Sequence, residues 1–141
     1  MLADCYFLSL LEILCDQSPD SIRRIFNTRK VNLKGIYSLD LTINGKTEEI
    51  IVDDLIPCNG TANSDKMPCF AYGKTRGEFW VSLLEKAWAK LHGSYCMARL
   101  GSATIALPFL TGCSTIRIDH RRLYESETVI NDFWTYLIDL K

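Results

Sequence analysis

The sequence has no uninterrupted apolar run near the roughly 18–20 residues that a membrane-spanning helix needs. Its most apolar run near the start, residues 6–11, is interrupted by Glu12. Asp4 stands before that run, where a signal peptide would carry positive charge. We therefore predict no transmembrane segment and interpret this run as a core helix, with a signal peptide as the alternative.

An excess of charge of either sign is also missing. Sixteen Lys and Arg against 17 Asp and Glu leave a formal net charge of −1. This balance lacks the basic surface typical of nucleic-acid binding, so we predict no nucleic-acid partner. A hydrophobic content of 48% excludes a mainly disordered chain, and 141 residues suit one domain.

No two of the six cysteines form a Cys-x-x-Cys pair, which argues against a zinc site. An even number of cysteines would also allow three disulfides in a secreted protein. Because no clear signal peptide precedes them, we expect reduced thiols and a cytoplasmic location.

Local patterns predict an α+β domain. Asn44-Gly45 lies between two apolar segments and predicts a β-hairpin over residues 36–54, because both central residues of a type I′ turn need positive φ. A short strand is expected near residues 70–72, within a long loop. Apolar spacing and helix-start signals predict helices over residues 5–15, 19–27, 78–91, 102–109 and 127–140.

Cys5 is the strongest candidate for chemistry. It follows Asp4 and opens an apolar helix, where the dipole and unpaired N–H groups favour the reactive thiolate. Such a thiolate suits attack on a carbonyl while those N–H groups help to hold the oxyanion. The alternative is a buried structural cysteine. A papain-type enzyme also needs a His about 130–150 residues downstream, and His92 and His120 are both nearer.

Two acidic positions are weaker candidates. Asp53 and Asp54 close the second hairpin strand, where they could bind a metal but more commonly form a turn. Glu78 is predicted in the first turn of the helix over 78–91. It is either a hard oxygen ligand for Ca²⁺ or a charge that complements the helix dipole.

Four segments together resemble the calpain family of cysteine proteases. Asp4-Cys5-Tyr6-Phe7-Leu8-Ser9 is similar to the nucleophile motif Gly-Asp-Cys-Trp-Leu-Leu. Residues 51–57 resemble the strand end V-D-D-x-L-P, and residues 77–95 resemble a characteristic calpain helix nearly residue for residue. Thr111-Gly112 fits a Thr-Gly-Gly step, with Cys113 in place of the last glycine.

The resemblance implies a papain-like fold and a Ca²⁺-activated intracellular endopeptidase that cleaves protein substrates. In that family the active site lies between two lobes. The first lobe supplies the nucleophilic Cys, which corresponds to Cys5, and the second supplies the His and Asn. The resemblance also implies that Glu78 is a Ca²⁺ ligand, whereas the other ligands lie upstream of the nucleophile motif and have no counterpart here.

The sequence departs from the family pattern at Ala3, which replaces a glycine, and at Tyr6, which replaces a tryptophan. The family's oxyanion Gln precedes the Cys and has no counterpart after Met1. We expect residues 1–115 to form a partial first catalytic lobe, and residues 116–141 to form a connecting segment and bridging helix toward an absent second lobe. The chain alone is then inactive. The alternatives are a non-catalytic interaction module and a degenerate remnant.

Overall fold

The structure is a computed structural model that describes residues 4–60, 66–73, 75, 77–118, 121 and 126–139. This part of the chain contains five helices and two small antiparallel sheets, so the predicted α+β class is confirmed. The helices are α1 (Cys5–Gln17), α2 (Pro19–Ile25), α3 (Trp80–Leu91), α4 (Ala103–Thr111) and α5 (Glu127–Asp139). The strands are β1 (Ile36–Ile43), β2 (Lys46–Asp53), β3 (Cys58–Asn59) and β4 (Met67–Pro68).

The predicted hairpin is confirmed. β1 pairs with β2 in a register that runs from Ile36 opposite Asp53 to Ile43 opposite Lys46. Asn44 and Gly45 connect the strands with φ values of 51° and 76°, as a type I′ turn requires. Alternate side chains of β1 are buried, so one face of the hairpin packs on the helices.

The core forms where α1, α3 and α4 pack together with the hairpin. Trp88 of α3 lies at its centre. Its ring stacks on Phe7 of α1 at 5.0 Å between centroids and meets Phe109 of α4 edge-on at 5.1 Å. The other fully or nearly buried residues of this core include Leu11, Tyr37, Leu39, Leu41, Leu83, Leu84, Ala87 and Ala106. The core therefore fixes the start of α1 against α3.

The strand expected near residues 70–72 is wrong. The structure instead pairs Cys58–Asn59 with Met67–Pro68. The backbone of Ala71 bonds to side chains of α3, since its N–H donates to Glu85 Oε2 at 3.0 Å and its carbonyl accepts from Ser82 Oγ at 2.7 Å. These side chains satisfy the polar groups that a strand partner would otherwise take.

Both ends of the fold depart slightly from expectation. α4 has nine residues rather than one or two turns, and its C-cap Gly112 has a φ of 73°. α5 forms as predicted, yet none of its described side chains is buried, and Trp134 and Ile138 are 57% and 65% exposed. Within the described residues, no helix is both long enough and apolar enough to span a membrane.

Candidate active site around Cys5

Cys5 is the first residue of α1, and its thiol is exposed. The alternative interpretation, a buried structural cysteine, is therefore wrong. The carbonyl of Asp4 accepts hydrogen bonds from the N–H groups of Phe7 at 2.8 Å and Leu8 at 3.2 Å. The N–H groups of Cys5 and Tyr6 precede these in the first turn, where helical geometry supplies no carbonyl for them. An accessible sulfur thus stands beside backbone donors.

Tyr6 ties the residue after the thiol to two other parts of the fold. Its hydroxyl donates to the carbonyl of Ala98 at 2.7 Å and accepts from the indole N–H of Trp88 at 2.9 Å. Burial raises the pKa of this hydroxyl above its usual value. The ring also packs so closely on Gly101 that a Cβ there would overlap it. The first turn of α1 is therefore held at a defined position.

A buried pair of carboxyl groups lies under the first turn, and the sequence analysis did not predict it. Asp4 and Glu85 are 2% and 1% exposed, and their side chains are hydrogen-bonded to each other. Burial, followed by the hydrogen bond and the charge of Asp4, raises the pKa of Glu85 to about 8. The available signal was an acid three residues before Trp88, on the apolar stripe of the helix.

Asp53 and Asp54 occupy a turn, as the commoner interpretation predicts. Asp53 Oδ1 accepts from the N–H of Leu55 at 2.8 Å and from Lys86 Nζ. The hydrogen bond from Lys86 lowers the pKa of Asp53. Asp54 lies against Gly35, whose carbonyl accepts its N–H. The two aspartates thus join the end of β2 to α3 and to the chain before β1.

The histidines do not complete a triad with Cys5 in the described part of the chain. His92 is the C-cap residue of α3, and its Nδ1 is 2.9 Å from the carbonyl of Trp88. It therefore belongs to the end of this helix. His120 lies outside the described residues.

A shallow cavity of about 520 Å³ lies between the hairpin and α3. Its lining includes Ile51 and Asp53 of β2, Lys86 and Lys90 of α3, and Tyr95. Cys5 is not part of this lining, so the cavity is separate from the candidate nucleophile.

The comparison with protein families decides the identity of this arrangement. A family profile described as calpain family cysteine protease matches residues 1–139. The chain belongs to the calpain family of cysteine proteases. The match extends beyond the motif segments to nearly the whole chain, so the papain-like fold class follows from it.

Curated calpains support the same assignment. The chain is similar to a calpain-type cysteine protease of Zea mays, with 38% identity over 141 residues, and to one of Arabidopsis thaliana, with 36% identity over 141 residues. Calpain-A of Drosophila melanogaster is 35% identical over 113 residues. These alignments cover 99%, 99% and 79% of this chain, but only 6%, 6% and 13% of the relatives. The chain therefore spans a small part of each relative's length.

Among calpains the chain is unusual at Tyr6, where the notebook of family motifs gives a tryptophan.

 
In the resembling nucleophile motif a tryptophan follows the Cys. The Tyr6 hydroxyl makes the two hydrogen bonds described above, to the carbonyl of Ala98 and from the indole of Trp88. The substitution therefore changes which polar groups anchor the first turn.

Glu78 does not form a calcium site with the residues that the structure describes. It is exposed and precedes Phe79, the N-cap of α3, so its predicted position in the first turn of the helix is wrong. Its Oε2 accepts from the N–H of Thr75 at 3.2 Å. Within the described ranges, no three His, Cys, Asp or Glu side chains are grouped closely enough to hold a metal ion. We therefore derive no calcium-dependent step from Glu78.

Proposed function

We propose that this chain is the part of a calpain-type cysteine endopeptidase that carries the nucleophile, Cys5. The observation that supports this most directly is the exposed thiol at the start of α1, in a chain that matches the calpain family over residues 1–139. On this proposal, residues 1–115 are the first catalytic lobe and residues 116–141 lead toward a second one.

The proposed chemistry is acyl transfer to sulfur. The Cys5 thiolate attacks the carbonyl carbon of a peptide bond, a C–S bond forms, and negative charge develops on the carbonyl oxygen. The backbone N–H groups at the start of α1 are suitably placed to stabilise that charge. The C–N bond then breaks, a His of the complementary lobe protonates the leaving amine, and water hydrolyses the thioester.

The partner that this mechanism needs is the complementary catalytic lobe, which carries the His and Asn. The exposed apolar side chains of α5, including Trp134, Leu137 and Ile138, are the surface we propose for contact with it. Without that lobe the chain is expected to be inactive toward peptides. The six free thiols agree with the proposed cytoplasmic location.

Calcium dependence stays a prediction, with Glu78 as the residue to examine. Isothermal titration of the chain with Ca²⁺ tests it, alongside the Glu78→Gln variant. Binding that is lost in this variant would support a role for Glu78, and no heat above dilution would count against one.

The same α5 surface supports a second candidate function, a non-catalytic interaction module. Light scattering of the purified chain separates this from an isolated remnant. Self-association, or a complex with a separately produced second lobe, supports an interaction surface. A monomer that binds neither the lobe nor a hydrophobic dye argues against it.

Grafting tests the peptidase proposal. The chain replaces the matching segment in the Zea mays relative, and the purified chimera is assayed with a fluorogenic peptide. We expect cleavage that Cys5→Ser abolishes. Cys15→Ser is the matched control, because Cys15 is an exposed thiol of the same helix. A folded chimera without activity, or activity that survives Cys5→Ser, contradicts the proposal.

A further inference from the structure

The aspartate that begins α1 does not cap its own helix. Asp4 is the N-cap residue, yet its side chain makes no capping hydrogen bond. An aspartate at this position usually accepts a hydrogen bond from the second or third helical N–H group. The Asp4 carboxyl is instead buried and hydrogen-bonded to Glu85 of α3. The contact with α3 therefore replaces the usual local one.

One proton satisfies this pair. Asp4 Oδ2 and Glu85 Oε1 are both buried, and neither has a donor among the described residues when both groups are ionised. If Glu85 is protonated, its O–H donates to Asp4, while its Oε2 accepts from the N–H of Ala71 at 3.0 Å. Two adjacent buried carboxylates repel each other, so one retained proton is the favoured state.

The groups around the pair favour this singly protonated form. Burial, followed by the charges of Glu85 and Asp53, raises the pKa of the Tyr95 hydroxyl to about 12, so that it stays neutral. Tyr6 has a raised pKa for a similar reason, with burial as the main cause and Asp4 as a further one. Lys86, the next residue on α3, donates to Asp53 and to a backbone carbonyl.

We infer that Glu85 is a positioning residue for Cys5, because the proton that it shares with Asp4 holds the Asp4 carboxyl away from the first turn of α1. A capping carboxylate would bond to the N–H groups of that turn and place a negative charge beside the thiol. The pair with Glu85 leaves those donors available to a substrate oxyanion. This inference rests on the proposed function, in which Cys5 is the nucleophile.

Charge-selective alkylation of the complete chain tests the positioning role. The rate constants for Cys5 with iodoacetate, an anion, and with iodoacetamide, a neutral reagent, are measured at pH 7 by mass spectrometry of the Cys5 peptide. In Glu85→Ala the Asp4 carboxyl is free to cap α1. We expect the iodoacetate-to-iodoacetamide ratio to fall about fivefold, which corresponds to about 1 kcal/mol between unit charges ~4 Å apart in water.

Three further variants make the result specific. Glu85→Gln can donate to Asp4 and should keep the wild-type ratio. Adding Asp4→Asn to Glu85→Ala removes the displaced charge and should restore the ratio. Glu12→Gln removes an exposed carboxylate of the same helix and should leave it unchanged. An unchanged ratio in Glu85→Ala, or a fall that Asp4→Asn does not reverse, would overturn the positioning role.

Infrared spectroscopy of the wild-type chain tests the shared proton without relying on any altered fold. We expect a protonated carboxyl band at pH 6 that is absent in Glu85→Gln and disappears as the pH is raised above 8. A wild-type spectrum without such a band at pH 6 would overturn the inference. These readouts need no peptidase activity, so an inactive chimera would leave them valid, and their failure would leave the peptidase proposal intact.

Discussion

The pH dependence of stability should change when Glu85 is replaced by glutamine. Glu85 binds a proton more tightly in the folded chain, where its pKa is about 8, than in the unfolded chain, where the ordinary value is 4.5. Between these two values the folded state holds more protons, so the free energy of unfolding falls as the pH rises. Below about pH 4.5 this penalty is absent.

The size of the effect follows from the shift. One pKa unit corresponds to about 1.4 kcal/mol, so the slope contributed by Glu85 is at most about 1.4 kcal/mol per pH unit. From pH 4.5 to pH 7 this amounts to no more than about 3 kcal/mol. Glu85→Gln cannot ionise and lacks this contribution. The variant should therefore gain stability relative to the wild type as the pH rises.

Urea unfolding followed by tryptophan fluorescence measures this difference at pH 5, 6, 7 and 8. Glu12→Gln serves as the control, because Glu12 is exposed on α1 and should keep the wild-type slope. Parallel pH profiles for the wild type and Glu85→Gln would refute the assignment of a retained proton to Glu85.

Three other substitutions test the packing around the candidate site, with urea unfolding as the measurement in each case. Tyr6→Phe removes the partner of the Trp88 indole N–H and of a backbone carbonyl, and should cost about 1–3 kcal/mol; a change below the experimental error would contradict the described hydrogen bonds. Gly101→Ala places a methyl group against the Tyr6 ring and should cost about 1–3 kcal/mol, and a neutral result would show that the ring is not fixed there. Phe7→Ala leaves a cavity beside Trp88 and should cost about 3–5 kcal/mol, whereas Ile13→Ala, at a position 56% exposed on the same helix, should cost far less. Equal losses at these two positions would contradict the described orientation of α1.

The elements that the sequence predicts well are those that local interactions determine. The Asn44-Gly45 turn needs only its own backbone preferences and the apolar pattern on either side. The helix that became α3 is similarly encoded by its own periodicity, and Gly93 ends it with a φ of 85°. The position of Cys5 at the start of α1 follows from the same kind of signal.

The elements that the sequence does not predict depend on partners far away in the chain. Ala71 is not in a strand because side chains from α3 take its backbone hydrogen bonds. The acidic pair forms because folding brings Asp4 against a helix face 81 positions later, and a periodicity plot treats Glu85 only as an exception to the apolar stripe. Such contacts become visible only when the packing of α1 against α3 is known.

The most direct test of the central claim is to find the acyl group on the nucleophile. The chimera described above is mixed with a peptide ester, quenched in acid within the first turnover, and digested for mass spectrometry. Our account predicts a peptidyl thioester on Cys5, present in Cys15→Ser and absent in Cys5→Ser. A thioester on another cysteine, or turnover with no acylated Cys5, would contradict it.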